Sequence, residues 1–205
     1  MDKVAIIDYG MCNLDSMARA VEECGGDPVV TDTATAIESA ARIILPGVGA
    51  FAVAMQNIRA RGLDEVLHRR VRERGVPVLG VCLGMQIFAA QGVEGEPTKG
   101  LGWIDAEVCR FKPVDGDERI PHIGWNEVEP TGSSKLFAEI DSGKDFYFAH
   151  SYHLACTHDA DIVAMTPYCG RFVSAVQHGN IYGTQFHPEK SQRVGFAVLR
   201  NFLAI

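Results

Sequence analysis

A single cysteine lies between two glycines where a strand pattern gives way to a helix pattern, in the stretch VLGVCLGMQ at residues 78–86. The spacing Gly80-x-Cys82-x-Gly84 is the cysteine form of a nucleophile elbow, a sharp turn that holds the nucleophile in a strained backbone conformation. Side chains at the two glycine positions would collide in such a turn. The start of the next helix favours negative charge, so the pattern predicts a reactive thiolate, with the N–H of Leu83 donating to an oxyanion.

A cysteine nucleophile needs a base, and the base needs a group that orients it. His187 lies just past a predicted strand, in QFHPEKS at residues 185–191, and Glu189 follows after the stiffening Pro188. In extended backbone, residues i and i+2 project to the same side, so Glu189 is expected to hold the His187 ring and favour its cationic form. Taken singly, these features are also compatible with a structural cysteine and a surface turn. Together they predict a Cys-His-Glu triad.

A second histidine cluster, HSYHLACTH at residues 150–158, raises the alternative of a metal site. It follows a predicted strand, in which positions 150 and 153 would face opposite sides. No second ligand pair with zinc-like spacing occurs elsewhere, so we predict neither a metal nor a cofactor. His68 and His178 are expected to face solvent.

The segment PGVG at residues 46–49 follows a predicted strand and has two interpretations. It is either a tight strand-to-helix connection or a loop whose backbone N–H groups complete the oxyanion hole. It is too short for a Walker-type phosphate loop and has no Lys-Ser/Thr pair. No G-x-G-x-x-G follows the first strand, which disfavours a dinucleotide site.

Composition limits the remaining classes of function. The chain has 205 residues, a net charge of -7 and a pI of about 5.5, which argue against a nucleic-acid surface and a polybasic membrane anchor. It contains no apolar run long enough for a transmembrane helix, and MDKVAIIDYG at the start has a strand pattern rather than a signal-peptide pattern. We therefore expect a cytoplasmic protein, with its six scattered cysteines reduced.

The elements that must position these residues alternate in the first half of the chain. Apolar strands are predicted at 3–8, 28–30, 42–45 and 76–81, and helices at 13–23, 34–40, 51–60, 63–74 and 83–91. This rhythm indicates an α/β fold whose parallel sheet is covered on both faces, with ligands at the carboxyl ends of the strands. The rim would carry residues 8–10, 46–49 and Cys82.

The second half is expected to add antiparallel strands at 100–111, 126–129 and 145–149, a hairpin at 171–186 and a final helix at 193–203. We see no linker or repeat. The simplest organisation is a single domain, residues 1–205, with a mixed, mainly parallel central sheet.

Three segments together resemble the class I (triad-type) glutamine amidotransferases: PGVG at 46–49, GVCLGMQ at 80–86 and FHPEKS at 186–191. Four further segments are similar to one subgroup of that family, the glutaminase subunits that supply ammonia to a (β/α)8-barrel cyclase in histidine biosynthesis. These are DYGMCNL at 8–14, GLG at 100–102, PHIGWN at 121–126 and FYFAHSY at 146–152. The resemblance runs over nearly the whole chain and implies a three-layer sandwich.

The resemblance implies a role for each matching residue. Cys82 would be the nucleophile, His187 the general base and acid, and Glu189 the carboxylate that orients it. The implied oxyanion-hole residues are Leu83 and the loop residues Gly47, Val48 and Gly49. The implied glutamine-binding residues are Gln86, Glu94, His150, Ser151 and Tyr152. The implied partner-facing residues are Tyr9, Asn13, His122, Trp125 and Asn126.

The chain departs from the family pattern in two places. Cys12 stands where D-Y-G-x-G-N has its second glycine, so that loop is expected to differ in shape. Of the usual S-E-E-G run, only Glu94-Gly95 remains. Trp125 fits either an interface or the core.

Three alternative functions remain open. Paralogous glutaminases that serve amidino-sugar synthesis have a stretch similar to residues 100–107. A cysteine hydrolase or peptidase would use the same elbow without a partner. A non-catalytic scaffold is disfavoured by the intact Cys82, His187 and Glu189.

Overall fold

The first half of the chain alternates strands and helices, as expected. In this computed structural model, which describes residues 2–114 and 119–205, the strands of this half are β1 (Lys3–Ile7), β2 (Asp27–Thr31), β3 (Arg42–Gly47) and β4 (Val78–Cys82). The helices are α1 (Leu14–Glu23), α2 (Ala34–Ser39), α3 (Phe51–Ala60), α4 (Leu63–His68) and α5 (Leu83–Gln86). A π-helical segment, Arg69–Glu73, continues α4, so the predicted helix at 63–74 is present in two parts.

The second half is richer in strands than predicted. It contains β5 (Gln91–Gly92), β6 (Thr98–Lys99), β7 (Ala106–Arg110), β8 (His122–Pro130), β9 (Lys144–His150), β10 (Tyr152–Cys156), β11 (Ile162–Thr166), β12 (Phe172–His178) and β13 (Ile181–Thr184). The chain closes with α6 (Gln192–Leu203). The hairpin β12–β13 and the final helix are confirmed. The prediction missed β5, β6, β10 and β11, and the strand predicted at 100–111 is limited to 106–110.

The central sheet has nine strands in the order β2-β1-β3-β4-β13-β12-β11-β8-β9. The first five are parallel to one another, and each later neighbour pairs antiparallel. Because the direction then alternates, β11 and β9 run the same way as the first five strands. The mixed, mainly parallel sheet is therefore confirmed. A second sheet, β10-β7-β5-β6, lies beside it.

Side chains alternate between the two faces of the central sheet along each strand, and each face packs against its own core. In β1, Val4 and Ile6 belong to one core and Ala5 and Ile7 to the other. Helices α1 and α6 pack on the first face, and α2 to α5 pack on the second. The result is the expected three-layer sandwich. No helix among the described residues has the length and apolar character needed to cross a bilayer.

The strand order brings the candidate residues to one rim. Strand β3 lies between β1 and β4, and Gly47 is paired directly with Cys82. Strand β13 lies on the other side of β4, so the chain that leaves it carries His187 towards Cys82. The predicted rim of residues 8–10, 46–49 and Cys82 is thus formed.

Helix α5 is shorter than predicted, ending at Gln86 rather than Gln91. The carbonyls of Ile87, Phe88 and Ala89 accept hydrogen bonds from N–H groups of residues 101–104, so a distant loop replaces the next helical turn. A four-residue helix has a small macrodipole, and the side chains around Cys82 therefore matter more for its charge.

Candidate active site

Cys82 occupies a strained turn between β4 and α5. Its backbone has φ 55° and ψ -112°, a conformation that costs a non-glycine residue about 1–3 kcal/mol. A Cβ on Gly84 would lie 1.6 Å from the Leu45 carbonyl oxygen, and one on Gly80 would lie 2.6 Å from the Gly84 carbonyl oxygen. The two glycines are required by close backbone approach, as the sequence indicated.

The structure brings His187 and Glu189 into contact. Glu189 Oε1 lies 2.9 Å from His187 Nδ1, and each side chain is only 4% exposed. The chain at Pro188–Lys190 is a 3-10 turn, so the extended backbone assumed from the sequence is wrong, although the contact forms. Ser191 fixes the turn by donating through Oγ to the His187 carbonyl oxygen at 2.6 Å.

Opposing effects set the charge of the His187 ring. Burial lowers its pKa, but the neighbouring Cys82 sulfur and the Glu189 carboxylate together raise the pKa to about 10. Because Glu189 holds Nδ1, Nε2 is the nitrogen left to face the sulfur. The site therefore favours an imidazolium between the Cys82 sulfur and the Glu189 carboxylate, which places a proton donor beside the nucleophile.

Sequence reasoning missed one residue beside the nucleophile. Gln185, which is fully buried, donates through Nε2 to Cys82 Sγ at 3.5 Å. Its Oε1 accepts from Gln86 Nε2 at 3.0 Å, and the same Gln86 nitrogen donates to the Tyr152 carbonyl oxygen at 2.8 Å. The available signal was its position two residues before His187, at the end of a strand that could neighbour β4.

Cys82 and Leu83 open into a cleft of about 420 Å³. The five residues implied to bind glutamine all line it, together with two implied oxyanion residues in addition to Leu83; these seven are Gln86, Glu94, His150, Ser151, Tyr152, Val48 and Gly49. Gly47 lies in β3 directly beside Cys82. One cleft thus unites the nucleophile with residues from α5, β9, β10 and the loops that follow β3 and β5.

Glu94 has a structural contact in addition to its place in the cleft. Its Oε2 accepts the N–H of Phe51 at 2.8 Å, the first residue of α3. An acidic group at a helix N-terminus accepts from an N–H that has no partner within the helix, and its negative charge interacts favourably with the helix dipole. Glu94 therefore fixes the helix that follows the 46–49 loop.

The 46–49 loop is tied to the loop after β1. The Val48 N–H donates to the Met11 carbonyl oxygen at 2.8 Å, so this N–H is engaged and is not an oxyanion donor in the observed conformation. Leu83, the first residue of α5, has no intrahelical acceptor for its N–H and fits the predicted role. Cys12 donates through Sγ to the Pro46 carbonyl oxygen at 3.2 Å, and burial raises the pKa of its thiol to about 11.

Two of the residues implied to face a partner do not reach the surface. Tyr9 is completely buried and His122 is 4% exposed, so neither side chain is available to a partner in this conformation. Asn126 is half-buried and donates to the Pro167 carbonyl oxygen. Asn13 is exposed and caps α1, and Trp125 is 48% exposed, which excludes the core interpretation of this tryptophan.

Tyr9 instead packs beneath Gly47. A Cβ at residue 47 would lie 2.0 Å from the Tyr9 hydroxyl, whereas its next contact, with Leu83 Cβ, would be at 3.0 Å. Burial, followed by the neighbouring Cys12, raises the pKa of Tyr9 well above its usual range, so the hydroxyl stays neutral.

Gly47→Ala is expected to destabilise the fold by about 1–3 kcal/mol, the usual cost of overpacking, and to reduce activity by displacing β3 from Cys82. Tyr9→Phe should recover most of that loss in the double variant, because the hydroxyl is by far the closest atom to the new methyl group. Urea unfolding of both single variants and the double variant measures the coupling. Additive losses would contradict the contact.

The two histidines of the cluster do not face opposite sides, contrary to the prediction. The chain leaves the nine-stranded sheet after His150 and enters the four-stranded sheet at Tyr152, so the strand is not continuous. His150 and His153 both pack on the Phe111 ring, with centroid distances of 5.1 and 4.7 Å. In residues 2–114 and 119–205, no group of three or more His, Cys, Asp or Glu side chains is arranged to hold a metal ion.

His150 instead pairs with His122, which lies opposite it in the β8–β9 register. His150 Nδ1 must donate to the Tyr152 carbonyl oxygen at 2.8 Å, because a carbonyl can only accept. Its Nε2 therefore accepts from His122 Nδ1 at 3.1 Å. Asn126 Nδ2 donates to His122 Nε2 at 3.2 Å. Burial lowers the pKa of His150 to about 3 and that of His122 to about 4.

This buried pair predicts acid sensitivity. The unfolded chain binds protons near pH 6.5, whereas the folded chain excludes them until about pH 4, so stability falls as the pH drops through this window. Within this window, the free energy of unfolding is expected to fall by about 1.4 kcal/mol per pH unit for each histidine. His150→Gln should make the slope shallower in urea unfolding between pH 7.5 and 4.5. The exposed His68→Gln is the control, and equal slopes for both variants would contradict the prediction.

A family model for "Glutamine amidotransferase class-I" matches residues 5–205, and the chain belongs to this family. Among its relatives, the imidazole glycerol phosphate synthase subunit HisH 2 of Nitrobacter winogradskyi is 47% identical over 208 residues, covering 99% of this chain and 98% of the relative. The corresponding subunit HisH of Caulobacter vibrioides is 43% identical over 209 residues, with coverage of 99% and 98%.

Solved structures have the same fold at lower identity. A putative GMP synthase subunit from Thermoplasma acidophilum aligns with a TM-score of 0.75 and 21% identity, covering 100% of this chain and 93% of that one. A structure described as a glutamine amidotransferase aligns with a TM-score of 0.76 and 18% identity, covering 98% and 97%.

Proposed function

We propose that this chain is the glutaminase subunit of an imidazole glycerol phosphate synthase. It hydrolyses glutamine to glutamate and ammonia and delivers the ammonia to a (β/α)8-barrel cyclase in histidine biosynthesis. The observation that carries the chemistry is Cys82 in its strained turn, on the floor of a cleft and beside the buried pair of His187 and Glu189. The names of the full-length relatives support the choice of pathway.

The first half-reaction forms a thioester. The Cys82 thiolate attacks the side-chain amide carbon of glutamine, and the carbonyl oxygen takes the negative charge beside the Leu83 N–H. When the tetrahedral intermediate collapses, the C–N bond breaks and the His187 imidazolium gives its proton to the leaving nitrogen. Ammonia departs, and a γ-glutamyl thioester remains on Cys82.

The second half-reaction restores the enzyme. Neutral His187 takes a proton from water, whose oxygen attacks the thioester carbon. The C–S bond breaks, its electron pair returns to sulfur, and glutamate leaves. The thiolate and the imidazolium are then paired again, which is the charge state that the pKa of His187 favours.

The ammonia needs a covered route, because near neutral pH it is mostly protonated in water and ceases to be a nucleophile. A surface beside the cleft suits a partner that provides this cover. Ile123 is 63% exposed and Trp125 is 48% exposed, both on one side of β8, and Ile123 lines the cleft itself. Exposed aromatic and aliphatic side chains of this kind are typical interface anchors.

The organisation and location of the protein are part of the same proposal. One family model extends over residues 5–205, which supports a single glutaminase domain at 1–205. All six cysteines are free thiols, as expected in a reducing compartment such as the cytoplasm.

The deciding experiment measures glutamate release from glutamine by the chain alone and with a barrel cyclase and its aminoimidazole carboxamide ribonucleotide ligand. Strong stimulation by the cyclase and its ligand is expected, because the two sites would be coupled. If the cyclase and its ligand leave the rate of glutamine hydrolysis unchanged, the histidine-pathway assignment is contradicted and an amidino-sugar partner is favoured. No hydrolysis under either condition would contradict the glutaminase mechanism.

Trp125→Ala tests the docking surface. We expect weaker binding of the cyclase, by about 2 kcal/mol if Trp125 is a central anchor. Val30→Ala is the matched control, because Val30 is 45% exposed but lies on β2, at the opposite edge of the sheet. Equal cyclase affinity for both variants in calorimetry would place the interface elsewhere.

A further inference from the structure

The side chain of Gln185 has a geometry that the triad mechanism does not use. It leaves β13 one residue after Thr184, is fully buried, and points between Cys82 and Gln86. A primary amide this deeply buried requires partners on both its nitrogen and its oxygen, because an unpaired polar group would be costly there.

The orientation of both amides follows from one fixed acceptor. The Tyr152 carbonyl oxygen can only accept, so the Gln86 atom at 2.8 Å from it must be Nε2. The same Nε2 lies 3.0 Å from Gln185, and the facing atom of Gln185 must therefore be Oε1. Gln185 Nε2 is then left to face Cys82 Sγ at 3.5 Å, with an N–H available to donate.

The Tyr152 carbonyl oxygen, from which this chain of hydrogen bonds begins, is itself held in place by a second donor. His150 Nδ1 donates to the same Tyr152 carbonyl oxygen, which uses its second lone pair. His150 is neutral because its pKa is about 3, so this arrangement does not change near neutral pH. The direction of the N–H from Gln185 to the sulfur is therefore fixed by buried groups on β9, β10 and α5.

We propose that Gln185 is a further catalytic residue of the glutaminase reaction, a fixed N–H donor to the Cys82 sulfur. A hydrogen bond to an ionised acceptor is stronger than one to a neutral acceptor, so this contact favours the thiolate over both the thiol and the thioester. It acts with His187 before the attack. It acts again in the second half-reaction, when the C–S bond breaks and the electron pair returns to sulfur. The inference rests on the proposed glutaminase reaction.

The test compares alkylation of Cys82 by iodoacetamide in the full chain, followed by mass spectrometry of the Cys82 peptide at pH 7. Gln185→Met keeps the length of the side chain and removes the donor, and alkylation should slow roughly tenfold or more. The kcat for glutamine hydrolysis in the complex should fall by a similar factor. Gln177→Met is the matched control, because the half-buried Gln177 bonds Ser134 and should leave both rates unchanged.

A second variant separates this role from support of Gln86. Gln185→Glu keeps an oxygen for Gln86 Nε2 to donate to, but places a carboxylate oxygen where the N–H had faced the sulfur. At pH 8, it should slow alkylation at least as much as Gln185→Met, with a smaller change in KM. Wild-type alkylation rates in either folded variant, or a change in KM alone, would overturn the proposal. Alkylation needs no glutamine, so failure of the proposed function would appear separately, as wild-type protein that alkylates but does not hydrolyse.

Discussion

Cys82→Ala is expected to lower glutamine hydrolysis by on the order of 10⁴-fold or more, because no other group in the cleft can form the thioester. The loss should appear in kcat, whether or not a partner is present. Binding of glutamine and of the cyclase should persist, since Gln86, Ser151 and Trp125 are untouched. Stopped assays of glutamate release, together with calorimetric titration of the cyclase, measure both outcomes.

The strained backbone at Cys82 makes a second variant, Cys82→Gly, a useful comparison with Cys82→Ala. Alanine keeps the unfavourable φ of 55°, whereas glycine adopts it freely, so Cys82→Gly should be more stable than Cys82→Ala by about 1 kcal/mol in urea unfolding. Both variants should be equally inactive. Cys156→Ala, which removes a half-buried thiol from β10, should retain activity. Hydrolysis that survives in both Cys82 variants would eliminate the triad mechanism.

The sequence predicted the parts of the site that depend on local geometry. The elbow at Cys82 could be predicted because an apolar strand ends at a residue flanked by glycines. As expected, a side chain at Gly80 or Gly84 would collide with neighbouring backbone atoms. The rim that carries the site could also be predicted from the sequence. The apolar strands β1, β3 and β4 are separated by helices, so they are parallel and their carboxyl ends lie at the same edge of the sheet. The contact of His187 with Glu189 needed only a short sequence separation, and it forms even though the connecting turn is 3-10 rather than extended.

The parts that were missed depend on contacts between distant segments. Tyr9 follows a strand in a polar-looking loop, and only the absence of a side chain at Gly47 lets its hydroxyl turn inward. His122 is buried because β8 pairs with β9 in a register that sets it opposite His150. Gln185 reaches Cys82 because β13, more than 90 residues later in the chain, inserts next to β4. No local periodicity encodes these pairings.

Glu189→Gln is expected to reduce kcat by about 10²–10⁴-fold while leaving the fold intact, since the amide has the same shape as the carboxylate. Glu189 Oε1 contacts His187, and Oε2 is buried with no hydrogen-bond partner among the described residues. The carboxylate therefore raises the pKa of His187 through its hydrogen bond to Nδ1 and through its charge. In the variant, a neutral amide oxygen is a weaker acceptor and carries no charge, so less opposes the burial that lowers the pKa of His187, and the ring holds its proton less firmly.

The loss should depend on pH in a defined direction. In the wild-type protein, the pKa of His187 is about 10, so the ring is expected to keep its proton through neutral pH, and kcat for glutamine hydrolysis should change little between pH 7 and 9. In Glu189→Gln, the pKa of His187 is lower, so the ring should lose its proton within this range and kcat should fall as the pH rises. The exposed Glu96→Gln is the control, and it should follow the wild-type profile. A flat profile in Glu189→Gln would mean that Glu189 only holds the ring in position, with the charge of His187 set by the sulfur.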